Sequence, residues 1–320
     1  MDKKLVTFAK RRSQMIEEKE LKSIEHLDLL ATKIVEGYLI GLHKSPFHGF
    51  SAEFREHRIY NEGEPLKNID YKVLARTDKM YVKKYDEETN LKCQLVLDIS
   101  PSMYYPKEGS RSKIDFSIVA IASLMKLLKK QRDAFGLTLF SDKVYDNIPP
   151  KLNEKTKQHI YSTLHQYFNF PKSSQESNIS NSIHQLAHTL KSRSLVVIFS
   201  DLMESQTVEN QNFYDNFIES LQHILFNKHE IIFFHVLKKT SEIDFDFENK
   251  PMEIIDVETN QTIKLTSNAI RESYQNTMIQ NNEIIKNKCI QIGVDFVPVD
   301  IDSDYEWILH NFLRKRKKLF

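Results

Sequence analysis

Short, wholly apolar runs alternate along this chain with longer segments whose apolar residues recur every three or four positions. The run at 195–199 is the clearest of the first kind, and 111–131 is the clearest of the second. A strand that is apolar throughout is buried on both faces, and amphipathic helices between such strands supply the cover. The sequence therefore predicts an α/β domain with a doubly wound, mostly parallel, Rossmann-like sheet that carries helices on both faces.

Oxygen-bearing side chains follow two of the predicted strands. Asp98, Ser100 and Ser102 come at alternate positions after the first apolar strand, and Asp201 follows the strand at 195–199. Ligands of open α/β sheets bind beyond the carboxyl ends of the strands, where the two carboxylates can converge. Carboxylate and hydroxyl oxygens suit a hard divalent cation such as Mg²⁺. Further hydroxyls precede a predicted helix at 178–191, where serine is also a common N-cap residue.

The first 88 residues are predicted to form a charged α+β extension (1–88) of a main domain at 89–320. A helical pattern at 26–36 is followed by segments broken by glycine and proline, and 53–88 is unusually dense in charge. Within the dense segment the sequence predicts a short helix capped by Asn68 and a strand at 80–85. These charges form either a solvated surface or a salt-bridged module packed beside the main sheet.

Charge and hydropathy argue against several classes of protein. The net charge of +1 gives no overall field for nucleic acid or an anionic membrane. For the basic run at 314–318 we expect a frayed, solvated end or, less simply, a contact for an acidic partner or phosphate. No apolar run reaches the ~20 residues of a membrane helix, and the amino-terminal segment lacks the apolar core of a signal peptide. Two distant cysteines without metal-site spacing fit a cytoplasmic protein.

The pattern of Asp98, Ser100, Ser102 and Asp201 resembles the metal-ion-dependent adhesion site of von Willebrand factor A domains. That family has D-x-S-x-S after the first strand, a threonine before a middle helix, and an aspartate after a later strand. The resemblance implies that the two serines contact Mg²⁺, or another divalent cation such as Mn²⁺, directly. It also implies that the aspartates hold the cation partly through waters, and that a carboxylate of a partner protein completes the coordination.

The middle ligand departs from the family's pattern. Ser177 is the best match to the threonine, and it keeps the hydroxyl while losing the methyl group that restrains its rotamer. Ser174 and Ser180 are close in sequence, so the register of this ligand stays open.

A signature upstream of the main domain resembles the bacterial family called domain of unknown function 58. The matching residues are Glu53, Arg58, Tyr60, Gly63, Glu64, Asp70 and Arg76. Glu64, Lys67 and Tyr71 stand where the family usually has Asp, Arg and Trp, and the lysine lacks the bidentate donor of arginine. The resemblance spans roughly 35–310 and favours the packed, salt-bridged module. It implies a non-enzymatic adaptor or chaperone-like partner of a MoxR-type AAA+ ATPase.

Two other functions are weaker expectations. A magnesium-dependent phosphohydrolase could use Asp98 as its nucleophile, but such enzymes usually need a second carboxylate two residues on, where this chain has Ser100. Nucleic-acid binding could use the basic residues of 3–12 and 314–318, but the near-zero net charge and the lack of a recognised binding motif argue against it.

Overall fold

The computed structural model describes residues 24–43, 56–60, 71–77, 79–84, 91–106, 111–168, 178–203, 213–247, 251–255 and 262–319. The described strands are β1 (Glu56–Ile59), β2 (Tyr81–Lys84), β3 (Lys92–Asp98), β4 (Ala134–Phe140), β5 (Val144–Lys151), β6 (Leu195–Ser200), β7 (Glu230–Leu237), β8 (Pro251–Ile255), β9 (Thr262–Thr266) and β10 (Asp295–Asp300). The described helices are α1 (Ile24–His43), α2 (Tyr71–Thr77), α3 (Lys113–Lys130), α4 (Glu154–Gln166), α5 (Ile179–Thr189), α6 (Phe213–Phe226), α7 (Ser267–Gln291) and α8 (Glu306–Leu319).

A six-stranded sheet in the order β10-β7-β6-β3-β4-β5 is the centre of the larger of two compact units, which takes in the described residues up to Tyr38 and from Leu91 onward. Five strands are parallel, and the edge strand β5 runs antiparallel to β4. Helices α5, α6 and α7 pack on one face, while α3 and α8 contact strands of the sheet through buried residues that include Ile118 and Phe312. The predicted α/β fold with a mostly parallel sheet is confirmed.

The order of the strands sets where a ligand can bind. From β3 the chain proceeds to β4 on one side, and it later returns to β6 on the other side of β3. Such a reversal opens a crevice between β3 and β6 at their carboxyl ends. Asp98 is the last residue of β3 and Asp201 directly follows β6, so both lie at this crevice.

Helix α1 contributes to the core of the larger unit. Leu27, Ala31 and Val35 are buried on one of its faces. On the same helix Asp28 forms an ion pair with Lys157 of α4 at 3.0 Å. The hydroxyl of Tyr161 donates a hydrogen bond to Asp28 at 3.0 Å. These buried apolar residues explain why this part of α1 belongs to the larger unit, whereas the charged residues after it belong to the smaller one.

The smaller unit lies within residues 39–90 and contains the antiparallel pair β1–β2 and the helix α2. Arg58 on β1 is opposite Val82, and the backbone N–H of Tyr60 donates to the carbonyl of Met80 at 2.9 Å. Arg76 is exposed in the last turn of α2. The other members of the upstream signature, like the predicted cap Asn68, are outside the described residues: Glu53, Gly63, Glu64 and Asp70.

The basic run near the carboxyl end differs from the solvated tail that we expect from sequence. It continues α8, and Lys315 pairs with Asp295 at 3.0 Å and with Glu230 at 3.2 Å. Arg316 pairs with Asp133 at 2.9 Å. The carboxylates come from two strand starts and from the residue before β4, so the fold itself supplies acidic partners for these two cations.

Candidate metal centre at the carboxyl edge of the sheet

The two predicted carboxylates are brought together and withdrawn from solvent. Neighbouring positions pair across β3 and β6, with Leu97 opposite Phe199. Asp98 and Asp201 are 0% and 1% exposed. Leu202, which follows Asp201, adopts a left-handed backbone with φ of 53°, a conformation that costs a non-glycine residue about 1 kcal/mol. This sharp turn ends the strand and keeps the carboxylate at the crevice.

The two predicted serines form a row of oxygen atoms that ends at Asp201. Ser100 Oγ lies 3.1 Å from Ser102 Oγ, and Ser102 Oγ donates to Asp201 Oδ1 at 3.1 Å. Ser100 is the N-cap of the 3₁₀ turn Pro101–Tyr104, and Ser102 is its second residue, so this turn fixes the positions of both serines. Adjacent oxygen ligands of an octahedral Mg²⁺ are about 3 Å apart, because each lies 2.0–2.1 Å from the ion. The three oxygens therefore fit neighbouring positions around such a cation.

Asp98 is held by its own loop and by the neighbouring strand. Its Oδ1 accepts the backbone N–H of Ser100 at 2.9 Å, and its Oδ2 accepts the hydroxyl of Ser200 at 2.6 Å. Burial and the nearby charge of Asp201 raise the pKa of Asp98 to about 7. Without a cation, this carboxyl is thus far more easily protonated than an ordinary aspartate.

A buried lysine lies on the other side of Asp201. Lys113 Nζ is 2.5 Å from Asp201 Oδ2 and 2.5 Å from Glu242 Oε1. Burial alone would lower the pKa of Lys113, but the two carboxylates raise it above its ordinary value, so the ammonium is charged. With Asp98 ionised, three carboxylates and one ammonium leave two negative charges, which a divalent cation would balance.

His235 on β7 and Glu242, in the turn after β7, complete the surroundings of Asp201 and Lys113. Glu242, in the π-helical turn Lys239–Ile243, also accepts the backbone N–H of Lys238 at 2.7 Å. His235 Nε2 lies 3.0 Å from the carbonyl oxygen of Asp201 and donates to it, because a carbonyl can only accept. Burial lowers the pKa of His235 to about 4, so its ring is neutral at neutral pH.

The structure therefore brings together four of the five predicted ligands, and the fifth, Ser177, is outside the described residues. The amino terminus of α5 is capped by Asn178, whose Oδ1 accepts from the backbone N–H of Asn181 at 2.9 Å. Ser180 lies within the first turn of the helix. Among the described residues, no three His, Cys, Asp or Glu side chains are arranged to hold a metal ion. Any cation at this edge would depend on the serine hydroxyls.

Three residues of the centre were missed from the sequence: Ser200 and Lys113, which contact the predicted carboxylates, and Glu242, which contacts Lys113. Ser200 precedes Asp201 in a strand that reads as apolar, and its signal is only its place at the strand end. Lys113 is the first residue of α3, where a positive charge opposes the helix dipole. Its position before an otherwise apolar face was the available signal. Glu242 carries no signal, because a glutamate in a turn is ordinary.

Comparisons with known proteins place the chain in a family without an assigned function. The family model described as "Protein of unknown function DUF58" matches residues 56–284. Uncharacterized proteins of Mycobacterium tuberculosis and Mycobacterium bovis are each 23% identical over 183 residues, which is 57% of this chain and 56% of theirs. The match thus spans little more than half the length of each relative.

Several solved structures share a distant likeness. BatB from Bacteroides thetaiotaomicron is 14% identical, with a TM-score of 0.44, over 71% of this chain and 99% of that one. An aerotolerance-related membrane protein from Bacteroides fragilis is 12% identical, with a TM-score of 0.40, over 70% and 99%. The pilus adhesin SpaC from Lactobacillus rhamnosus GG is 10% identical, with a TM-score of 0.45, over 72% and 30%. Likenesses this distant carry no inference about function. Within the described part of this chain, no helix combines the length and apolar character needed to cross a membrane.

Proposed function

This chain belongs to the DUF58 family, and from that premise we propose that it is a non-enzymatic, von Willebrand factor A-like module that binds a divalent cation and grips an acidic group of a partner protein. The cation is Mg²⁺ or a similar ion such as Mn²⁺. The observation that carries the proposal is the row formed by Ser100 Oγ, Ser102 Oγ and Asp201 Oδ1, with 3.1 Å between successive atoms.

Each residue of the centre has a distinct part in the proposal. Ser100 and Ser102 hold the cation directly, and Ser177 supplies the third hydroxyl. Asp98 and Asp201 balance its charge, with Asp98 fixed by the hydroxyl of Ser200. When bound, Mg²⁺ would offer a Lewis-acidic position to a carboxylate of the partner. Hydroxyl ligands suit this task because they neutralise none of the charge of the ion.

The surroundings of Asp98 favour recognition over catalysis. A nucleophilic aspartate needs an oxygen that can reach a substrate, whereas both oxygens of Asp98 accept hydrogen bonds from within the protein. The general acid expected two residues later is replaced by Ser100. The alternative function, a phosphohydrolase that uses Asp98, would gain support from hydrolysis of a phosphate ester that Asp98→Asn abolishes.

A MoxR-type AAA+ ATPase is the proposed partner, because the family resemblance implies that such chains accompany these ATPases. The proposal also places the chain in the cytoplasm, where its two cysteines would remain thiols; Cys93 and Cys289 are both buried and unpaired with each other. As an adaptor, the chain would present the carboxyl ends of its parallel strands, with the bound cation, to an acidic side chain of the ATPase.

The test is capture of the purified ATPase of the same organism by the full chain. Because an ATPase itself needs Mg²⁺, a chelator would also affect the partner. Capture is therefore compared between variants of the chain at constant Mg²⁺. Asp98→Ala should lose capture, and the exposed Asp304→Ala should retain it. Equal capture by Asp98→Ala and the unaltered chain, with both shown to be folded, would overturn the proposal.

A further inference from the structure

Three histidines that are not part of the candidate metal centre meet between the helices α5 and α6. His184 and His188 lie one turn apart on α5, and His223 lies on α6. His184 and His223 are half-buried, and His188 is exposed. The His223 ring is 5.5 Å from that of His184 and 4.8 Å from that of His188, measured between centroids.

The nitrogen atoms of two of these rings already face each other. His184 Nδ1 lies 3.3 Å from His223 Nδ1. In a tetrahedral zinc site two histidine nitrogens are about 3.3–3.4 Å apart, because each is bound at 2.0–2.1 Å. Neighbouring ligands of a square-planar ion at the same bond length would be about 2.9 Å apart. The observed separation therefore fits tetrahedral Zn²⁺ better than square-planar Cu²⁺.

We propose that His184 and His223 bind Zn²⁺ through their Nδ1 atoms, and that His188 becomes the third ligand after rotation of its side chain. As described, His188 meets His223 edge-to-face, so the three rings are not yet a finished set of ligands. Because His188 is exposed, its rotation displaces no core residue. Two histidines four residues apart on one helix face are a known arrangement for zinc.

Bound zinc would tie α5 to α6, and each of these helices follows a predicted ligand of the other centre. Helix α5 begins at Ile179, two residues after Ser177, and α6 is the next helix after Asp201 among the described residues. The two centres also differ in chemistry, because imidazole nitrogen favours zinc and hydroxyl oxygen favours magnesium. Zinc binding is therefore testable without reference to the proposed function.

The experiment is a calorimetric titration of the full, untagged chain with Zn²⁺ in excess Mg²⁺. The unaltered protein should bind a single Zn²⁺, and the double variant His184→Asn/His223→Asn should bind it at least about tenfold more weakly. His159→Asn, which alters an exposed histidine on α4, is the matched control and should bind as the unaltered chain does.

A second variant and a second measurement guard against misfolding of the double variant. His188→Asn changes an exposed side chain and should also weaken Zn²⁺ binding. Zn²⁺ should raise the thermal midpoint of the unaltered chain and of His159→Asn but not that of the double variant. Without metal, the 3.3 Å contact between His184 Nδ1 and His223 Nδ1 is a hydrogen bond in which one Nδ1–H donates to the unprotonated Nδ1 of the other ring. Zinc binding that is absent, or equal in the unaltered chain and His188→Asn, would overturn the three-histidine site.

Discussion

Lys113 and Asp201 form an ion pair inside the protein, with Nζ 2.5 Å from Oδ2 and side-chain exposures of 1% and 0%. The other oxygen of Asp201 accepts from Ser102, which belongs to the row of predicted cation ligands. One carboxylate thus joins a fixed cation of the protein to the place proposed for a metal ion. The charge of Lys113 should therefore control both the stability of this edge and its affinity for cations.

Lys113→Met should destabilise the cation-free protein by about 3–5 kcal/mol, because it leaves the buried Asp201 and the half-buried Glu242 without their ammonium partner. Added Mg²⁺ should restore more stability to this variant than to the unaltered chain, since the centre then carries an extra negative charge. Denaturant unfolding in chelator and in Mg²⁺ measures both effects.

Lys129→Met is the control for that substitution. Lys129 pairs with Glu154 at 2.6 Å, but the two side chains are 45% and 54% exposed. Its loss should cost less than about 1 kcal/mol and should not depend on Mg²⁺. Equal losses in the two variants would contradict the role given to Lys113.

Asp98→Asn should separate stability from cation binding. Burial and repulsion from Asp201 raise the pKa of Asp98 to about 7, so its ionisation destabilises the folded state when no cation is bound. The amide removes this charge, and the variant should be more stable than the unaltered chain in chelator at about pH 8, by on the order of a few kcal/mol. Its stability should no longer respond to Mg²⁺.

Asp201→Asn makes the same chemical change with the opposite expected result, because it leaves Lys113 with one carboxylate fewer. That variant should be less stable in chelator. If Asp98→Asn also lost stability there, the assigned repulsion between the two aspartates would be wrong.

Ser177→Ala should identify the third hydroxyl. We expect it to weaken Mg²⁺ binding at least about tenfold, whereas Ser174→Ala and Ser180→Ala should leave binding unchanged. Helix capping does not confuse the result, because Asn178 caps α5. A larger effect at either of the other two serines would move the ligand to that position.

Asp28 should make the docking of α1 sensitive to acid. Burial alone would raise the pKa of Asp28, but Lys157, Tyr161 and Lys126 lower it below its ordinary value. A lowered pKa stabilises the fold above the unfolded pKa, and this contribution is lost as pH falls through the folded pKa. Asp28→Asn should therefore cost about 1 kcal/mol at neutral pH and little in strong acid.

Denaturant unfolding at the two pH values measures this difference, with the exposed Asp304→Asn as its control. A loss for Asp28→Asn that is the same at both pH values would indicate that the ionic contacts do not hold α1.

The sequence predicted the parts of this structure that depend on local pattern. The apolar runs of β3 and β6 required burial on both faces, and their terminal aspartates had to lie at the carboxyl edge. Contacts between distant segments were beyond such reasoning. Lys113 and Glu242 are 129 positions apart, and only the packing of α3 near the end of β7 brings them together. A lysine at a helix start and a basic run at a chain end ordinarily remain solvated. Here, buried or clustered carboxylates bind Lys113, Lys315 and Arg316.

Binding of Mg²⁺ by the serine row is measured by calorimetric titration of the unaltered chain, Ser102→Ala and Ser123→Ala. Both serines are buried, but Ser102 Oγ contacts Asp201, whereas Ser123 Oγ only donates to the carbonyl of Val119 within α3 at 2.8 Å. We expect the unaltered chain and Ser123→Ala to bind Mg²⁺, and Ser102→Ala to bind it at least about tenfold more weakly. No binding by the unaltered chain, or equal binding by all three proteins, would contradict the proposed cation site.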